Sequence, residues 1–412
     1  MNYWEFVATN RRFLAFGFLL TWFASFGHTF FISLFGADIR DAFGLTHGGF
    51  GTIYTVATVA GGPVLVWLGR KIDYVDLRSY AVLVSVSLIG ACFFLAAAPT
   101  VLLLGLAIFT LRVAAPILLV HTATIAMARY FNEQRGKAVG FAHLGQSVGE
   151  AVLPVTAVAL IATLGWRGTW VAIAGVSALF LIPAALWLLK GHGERHRRLL
   201  EQVAVETADV RSPVRHWSPA EVVRDARFYL MMPAVMMPYF IYSGLIFHQV
   251  HLADSKGWSL AWLATCFIGF AVTKVAAGLL SGLLIDRFGA LRVMPYCMLP
   301  LGLGLLALAG SNHPAVALAF LAAAGLSIGA RVTVVGALWA EVYGVAHLGA
   351  IRSVTTAVSF TTSAFSPMIF GWMLDLGVSM ESIAVMCLAL AALATALLAL
   401  PPVRASPPAA KP

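Results

Sequence analysis

The sequence predicts an all-α integral membrane protein of twelve transmembrane helices in two pseudo-symmetric six-helix bundles. Three observations carry that prediction: a composition too apolar for water, twelve runs of spanning length, and marks that recur at one long period. Of the 412 residues, 60% are hydrophobic and only 11% charged. A soluble domain holds about a quarter of its residues charged.

A hydrocarbon core about 30 Å thick takes about 20 apolar residues per helix. Such runs fall near 13–36, 47–68, 79–98, 101–128, 137–163 and 168–189, then near 228–252, 259–285, 291–310, 314–341, 350–374 and 381–400. They read as helices, since barrel strands would show ten-residue alternating patterns. The first run follows a basic N-terminus. It is too long for a leader and lacks a clear cleavage site, so a retained helix is expected.

Lys and Arg set the orientation. With a cytoplasmic N-terminus, only Arg40, Arg167 and Lys256 of the 27 basic residues fall in outside loops, and Arg112, Lys274 and Arg331 fall within spans. The expectation is a multi-pass plasma-membrane protein of the bacterial inner-membrane kind, both termini cytoplasmic. The net charge of +9 is then a topology signal, and no nucleic-acid partner is expected. Cys92, Cys266, Cys297 and Cys387 lie in apolar runs without metal-ligand spacing and read as packing residues.

The polar stretch near 190–227 divides the spans six and six. This gives an N-terminal lobe at 1–190, a cytoplasmic linker at 191–227 and a C-terminal lobe at 228–412. Ser218-Pro219-Ala220-Glu221 is a capping box that starts a helix near the linker's end. The lobes also match. Gly69-Arg70-Lys71-Ile72-Asp73 corresponds to Gly282-Leu283-Leu284-Ile285-Asp286, Leu164-Gly165 to Leu376-Gly377, and Ala128 to Ala340, all at an offset of about 213 residues. Parallel six-helix repeats with a site near the midplane are a recurrent route to alternating access.

On these features the chain resembles the major facilitator superfamily over nearly its whole length. Gly282 to Asp286, with Arg287, Phe288, Gly289 and Arg292, is similar to the superfamily's loop motif, whose charges latch one side of the carrier. The first-half copy, with Gly69 and Asp73, is degenerate: Tyr74 replaces the usual base and Asp76 the usual glycine. Arg129-Tyr130-Phe131, Arg135-Gly136, Ala138 and Gly140, continuing to Gly145 and Gly149, resembles the monocarboxylate and oxalate–formate transporter group, as does Gly165-Trp166-Arg167. Lys274-Val-Ala-Ala-Gly278 matches a third element of that group, in which an arginine pairs with an aspartate one turn earlier. Here lysine replaces the arginine and Phe270 the aspartate. The resemblance implies a secondary transporter, a small anionic substrate with or without protons, and the bilayer as surroundings. It implies no cofactor, and a monomer is expected.

Charges near the bilayer centre cost about 2.5–3.5 kcal/mol each, so those that occur face a wet cavity or a partner. Lys274, eleven residues from its helix end and about 16 Å deep, is the leading substrate candidate. Its alternative is a lock with Glu150. Arg331 is the second, with backbone carbonyls or Glu341 as alternative partners. His28, Tyr239 and Tyr242 complete the substrate set, each with a packing role as the alternative.

Glu150 is the one carboxylate deep in a span and is the candidate for proton coupling, together with Arg112, which also reads as structural. His143, Gln146 and Glu150 share a helix face. His121, His248 and His251 are weaker candidates. Thr355, Ser359, Thr362 and Ser366 form a hydroxyl stripe that either packs or lines a cavity. Gly278-x-x-x-Gly282 and Gly136-x-x-x-Gly140 are close-approach signals of low specificity. Prolines at 63, 116, 154, 233, 238, 300 and 367 mark expected bends.

No phosphate-binding loop, nucleophile–base pair or His-Glu-x-x-His motif occurs, so neither an ATP-driven pump nor an enzyme is expected, and there are no catalytic or metal-binding candidates. Three functions remain: a carrier of small organic anions such as monocarboxylates, an exporter of drugs or other solutes by proton antiport, and a transport-inactive sensor or receptor. Three deep cations against one acid favour the first.

Overall fold

The computed structural model describes residues 3–131, 134–191, 219–344 and 348–400. Ser218 and most of the expected linker lie outside them, and a short helix, Pro219–Arg224, follows. Among the described residues ten helices are long and apolar enough to span a membrane, or eleven with one bent pair. That pair, Glu5–Gly27 with Thr29–Phe43, bends by 45° and is labelled α1. Then come α2 (His47–Gly69), α3 (Leu77–Ala97) and α4 (Val101–Tyr130), followed by a single 54-residue stretch, Arg135–Leu188.

That long stretch is two spans, α5 and α6. Gly165 interrupts it with φ 65° and ψ 172°, a conformation that glycine adopts without a Cβ clash. Counted as two, it brings the spans to the expected twelve. Gly377, its partner in the sequence repeat, also has positive φ, at 80°. The recurring Leu-Gly pair therefore marks two left-handed turns. The remaining spans are α7 (Ala226–Phe247), α8 (Leu260–Phe288), α9 (Ala290–Gly310), α10 (Ala315–Tyr343), α11 (Ile351–Asp375) and α12 (Met380–Leu397).

The chain forms two compact units, Met1–Phe43 with Val56–Ser212, and Gly44–Thr55 with Pro213–Pro412. In the first, α1 and α5 approach closely because Gly145 and Gly149 leave room. A Cβ on Gly145 would strike the Phe18 carbonyl, and one on Gly149 would strike the Ser25 hydroxyl. The Thr21 hydroxyl donates to the Ala142 carbonyl across the same contact. Phe31 and Phe35 pack on the buried Trp170, with centroids 5.7 and 4.9 Å apart. Pro116 lies in a π-helical turn, Val113–Leu119, within α4, where a wider helix accommodates the missing donor.

In the second unit the tightest pair is α8 and α10. A Cβ on Gly325 would meet the Phe270 carbonyl, and one on Gly329 the Lys274 carbonyl. Thr273 and Thr333 hydroxyls donate across the seam to the Ala322 and Gly278 carbonyls, at 2.9 and 3.0 Å. The two glycine pairs flagged in the sequence do not make such contacts. Gly136, Gly140 and Gly282 have nothing within 4 Å, and Gly278 sits at an ordinary 3.6 Å from the Gly329 carbonyl.

The first turns of α2 belong to this unit. Asp375 accepts from the His47 and Gly48 amides at 3.0 and 2.8 Å, satisfying donors at the helix start. Phe50 and Tyr54 stack on Phe247, and Thr55 donates to the Ala364 carbonyl at 2.7 Å. Elsewhere Lys256 is stapled to Glu381 at 2.7 Å and to the Asn312 amide oxygen at 2.8 Å.

Candidate anion-binding site

Three helices of the second unit build a cavity of about 300 Å³. From α7 come Val235 and Tyr239, four residues apart; from α10 come Arg331, Val335 and Trp339 at the same spacing. Residues at that interval share a helix face. From α11 come Arg352, Thr355, Thr356, Ser359, Phe360 and Ser363. Among the described residues, no acidic one lines the cavity.

Arg331 is 7% exposed. Its Nε donates to the Val235 carbonyl, and its guanidinium carbon lies 4.5 Å from the Tyr239 ring centroid. A carbonyl dipole and an aromatic face hold a cation in place without neutralising it. Arg331 has no ion pair among the described residues, and neither has the exposed Arg352. Two further donors line the same space. The Ser359 hydroxyl and the Trp339 indole N–H are buried and have no hydrogen-bond partner among the described residues. Buried polar groups are normally paired, so the cavity is short of an acceptor.

Of the other expected substrate residues in this unit, Tyr239 lines the cavity, whereas Lys274 and Tyr242 are not among its lining residues. Lys274 on α8 is half-buried, its ammonium 5.6 Å from the Phe270 ring centroid. Phe270 stacks on Tyr242 at 4.8 Å and 9°. A cation–ring contact thus occupies the place where the family pattern has a carboxylate.

In the first unit, His28 sits at the break in α1, with an extended backbone at φ −75° and ψ 155°. The break removes a turn of helical bonding. Arg112 takes up the Gly27 carbonyl there at 2.8 Å, while its Nε donates to the Thr58 hydroxyl at 3.1 Å. Glu150, 4% exposed, accepts from the Gln146 amide at 3.0 Å. The His143 Nε2 lies 3.3 Å from the Thr124 hydroxyl.

The loop motif divides by half. In the second, Asp286, Arg287 and Arg292 are exposed and have no ion pair among the described residues, and Arg287 stacks on Phe288 at 5.2 Å. Gly289 has φ 83°, and Glu341 accepts from the Ala290 amide at 2.6 Å. Glu341, weighed in the sequence as a partner of Arg331, instead caps α9. In the first, Asp76 replaces that glycine and caps α3 itself, accepting from the Arg78 and Ser79 amides at 3.1 and 3.2 Å. The Gly69 carbonyl lies 3.3 Å from His121 Nε2. Asp73 ends a short 3-10 turn, and its side chain is outside those described.

Sequence reasoning passed over Arg352 and Trp339. Arg352 was counted only as a charge near a helix end, and Trp339 as an apolar residue of a span. Trp339 is eight residues from Arg331, and Arg352 is three, four and seven from Thr355, Thr356 and Ser359; these helical spacings are the signals that bring them together.

The sequence model of the Major Facilitator Superfamily matches residues 17–271 and 244–412. The chain belongs to the major facilitator superfamily. Membership makes it a multi-pass membrane transporter and not an enzyme, and the all-helical fold agrees. Two solved structures of a bacterial homologue of the human lysosomal transporter Spinster, both inward-facing, are similar in fold. The unoccupied one gives a TM-score of 0.67 at 15% identity, covering 94% of this chain and 96% of its own. The occupied one gives 0.69 at 16%, covering 97% and 96%. No curated protein sequence matches the chain. At such identities the likeness to these two structures extends to the fold alone.

Proposed function

We propose that this superfamily member is a secondary transporter that moves a small organic anion by alternating access, with a carboxylate as the recognised group. The observation that carries the reading is Arg331, buried without an ion pair among the described residues in a cavity that also holds unpartnered Ser359 and Trp339 donors. A carboxylate supplies what those groups lack: a negative charge and acceptor lone pairs for a guanidinium fork. A monocarboxylate is the smallest such ligand. Lys274 on α8 and Tyr242 on α7 take supporting roles within the same unit, and His28 takes one at the break in α1 of the other. The loop motif contributes gating.

Proton coupling is assigned to Glu150. Its carboxyl accepts from the Gln146 side chain, an amide that carries both a donor and an acceptor. Arg112 contributes by fixing the broken α1. The membrane is the plasma membrane, entered with both termini cytoplasmic, in keeping with the placement of Lys and Arg.

Purified protein in proteoliposomes tests the reading with labelled lactate, pyruvate, formate and oxalate, each with and without a pH gradient. Saturable uptake of at least one, lost in Arg331→Gln, is the expected result. If no carboxylate is moved, and none stabilises the purified protein, the anion reading is wrong. A proton gradient that drives Glu150→Gln as well as the parent removes Glu150 from the coupling.

A further inference from the structure

Arg331 and Arg352 line one cavity but stand at different heights in it. The helix bearing Arg331 ends at Tyr343, and the helix bearing Arg352 begins at Leu348 and returns across a short connection. Trp339 and Arg352 are each four residues from that connection and so share a level. Arg331 is eight residues beyond Trp339, about 12 Å deeper at 1.5 Å per residue. Val335, Gly336, Thr355 and Thr356 stand at levels between them, while Ser359 and Phe360, seven and eight residues from Arg352, reach the level of Arg331. The cavity therefore has a cation at each end and a middle of valine, glycine and two threonines.

We infer that this cavity takes an α,ω-dicarboxylate lying along its length, one carboxylate on Arg331 and the other on Arg352. The inference rests on the anion reading above and adds the number and spacing of the charges. A monocarboxylate meets the buried Arg331 and leaves Arg352 to water. A second carboxylate on the same molecule meets Arg352 intramolecularly, at high effective concentration, once the first is bound. The methylenes between them pass the level of Val335, Thr355 and Thr356, where the valine surface favours an apolar chain over water. With part of the 12 Å interval taken up by the two arginine side chains, a chain of about four to six carbons bridges the rest.

The test uses the full-length purified protein and matched pairs of ligands: succinate with butyrate, glutarate with pentanoate, adipate with hexanoate. Affinities come from thermal stabilisation at constant ionic strength. At least one dicarboxylate is expected to bind tenfold or more tightly than the monocarboxylate of its own length. Arg352→Gln, at an exposed position, is expected to bring that ratio within threefold. Arg331→Lys is expected to weaken both members of each pair. Ratios near one for all three pairs, or a ratio that survives Arg352→Gln, would overturn the dicarboxylate assignment while leaving the anion reading standing. Absence of binding by every ligand in both series would overturn both.

Discussion

The guanidinium of Arg331 rests 4.5 Å from the ring centroid of Tyr239, so a residue of α7 sets the aim of a cation on α10. Replacing the ring by an aliphatic side chain, as in Tyr239→Leu, deprives the cation of about 0.5–2 kcal/mol of support. Anion affinity is expected to fall about two- to thirtyfold. Tyr239→Phe keeps the ring face and is expected to stay within about twofold. The Michaelis constant for uptake distinguishes the two.

The α8–α10 seam predicts opposite outcomes for two glycines. Gly329→Ala drives a methyl into the Lys274 carbonyl, and overpacking of this kind costs about 1–3 kcal/mol. Gly282→Ala meets open space and is expected to be neutral, or stabilising by up to about 1 kcal/mol through helix propensity. Melting temperatures of the two variants in one detergent check the sign.

Arg112→Met leaves the Gly27 carbonyl at the break of α1 without its donor. An unsatisfied buried group costs about 1–3 kcal/mol, so the variant is expected to melt earlier than the parent. Its affinity for the transported anion, measured on the fraction that remains folded, is expected to change less than about twofold. A loss of affinity as large as that of Arg331→Gln would put Arg112 in the binding path.

Glu341→Ala removes the acceptor from the Ala290 amide, a capping loss of about 1–2 kcal/mol. Glu341→Gln keeps an acceptor oxygen and is expected to recover at least half of that. Comparing the two by thermal unfolding separates the cap from simple loss of charge.

Much of this fold was legible because apolar run length and turn chemistry are local. Gly165 and Gly377 announced themselves as a repeat, and both turned out to be positions where the backbone takes a positive φ. The degenerate loop motif was legible as a departure but not as a cause. Nothing in the order of residues says that Asp76 caps its own helix while Gly289 relies on Glu341, 52 residues away in sequence by position number. The site was half legible. Arg331 stood out because a charge in an apolar run is costly wherever it lies. Arg352 did not, because a charge near a helix end is ordinary until a neighbouring helix shows that it shares a cavity. Likewise Gly278-x-x-x-Gly282 had the spacing for close packing, but Gly325 and Gly329 have the facing backbone. Spacing alone does not say which side of a helix meets another.

The contact of Gly329 with the Lys274 carbonyl lies two residues from Arg331 in the same helix. With the two threonine bonds across that seam, it leaves no slack for one helix to slide along the other. Lys274 and Arg331 are therefore passengers on a single plank: the backbones that carry them are packed in one register.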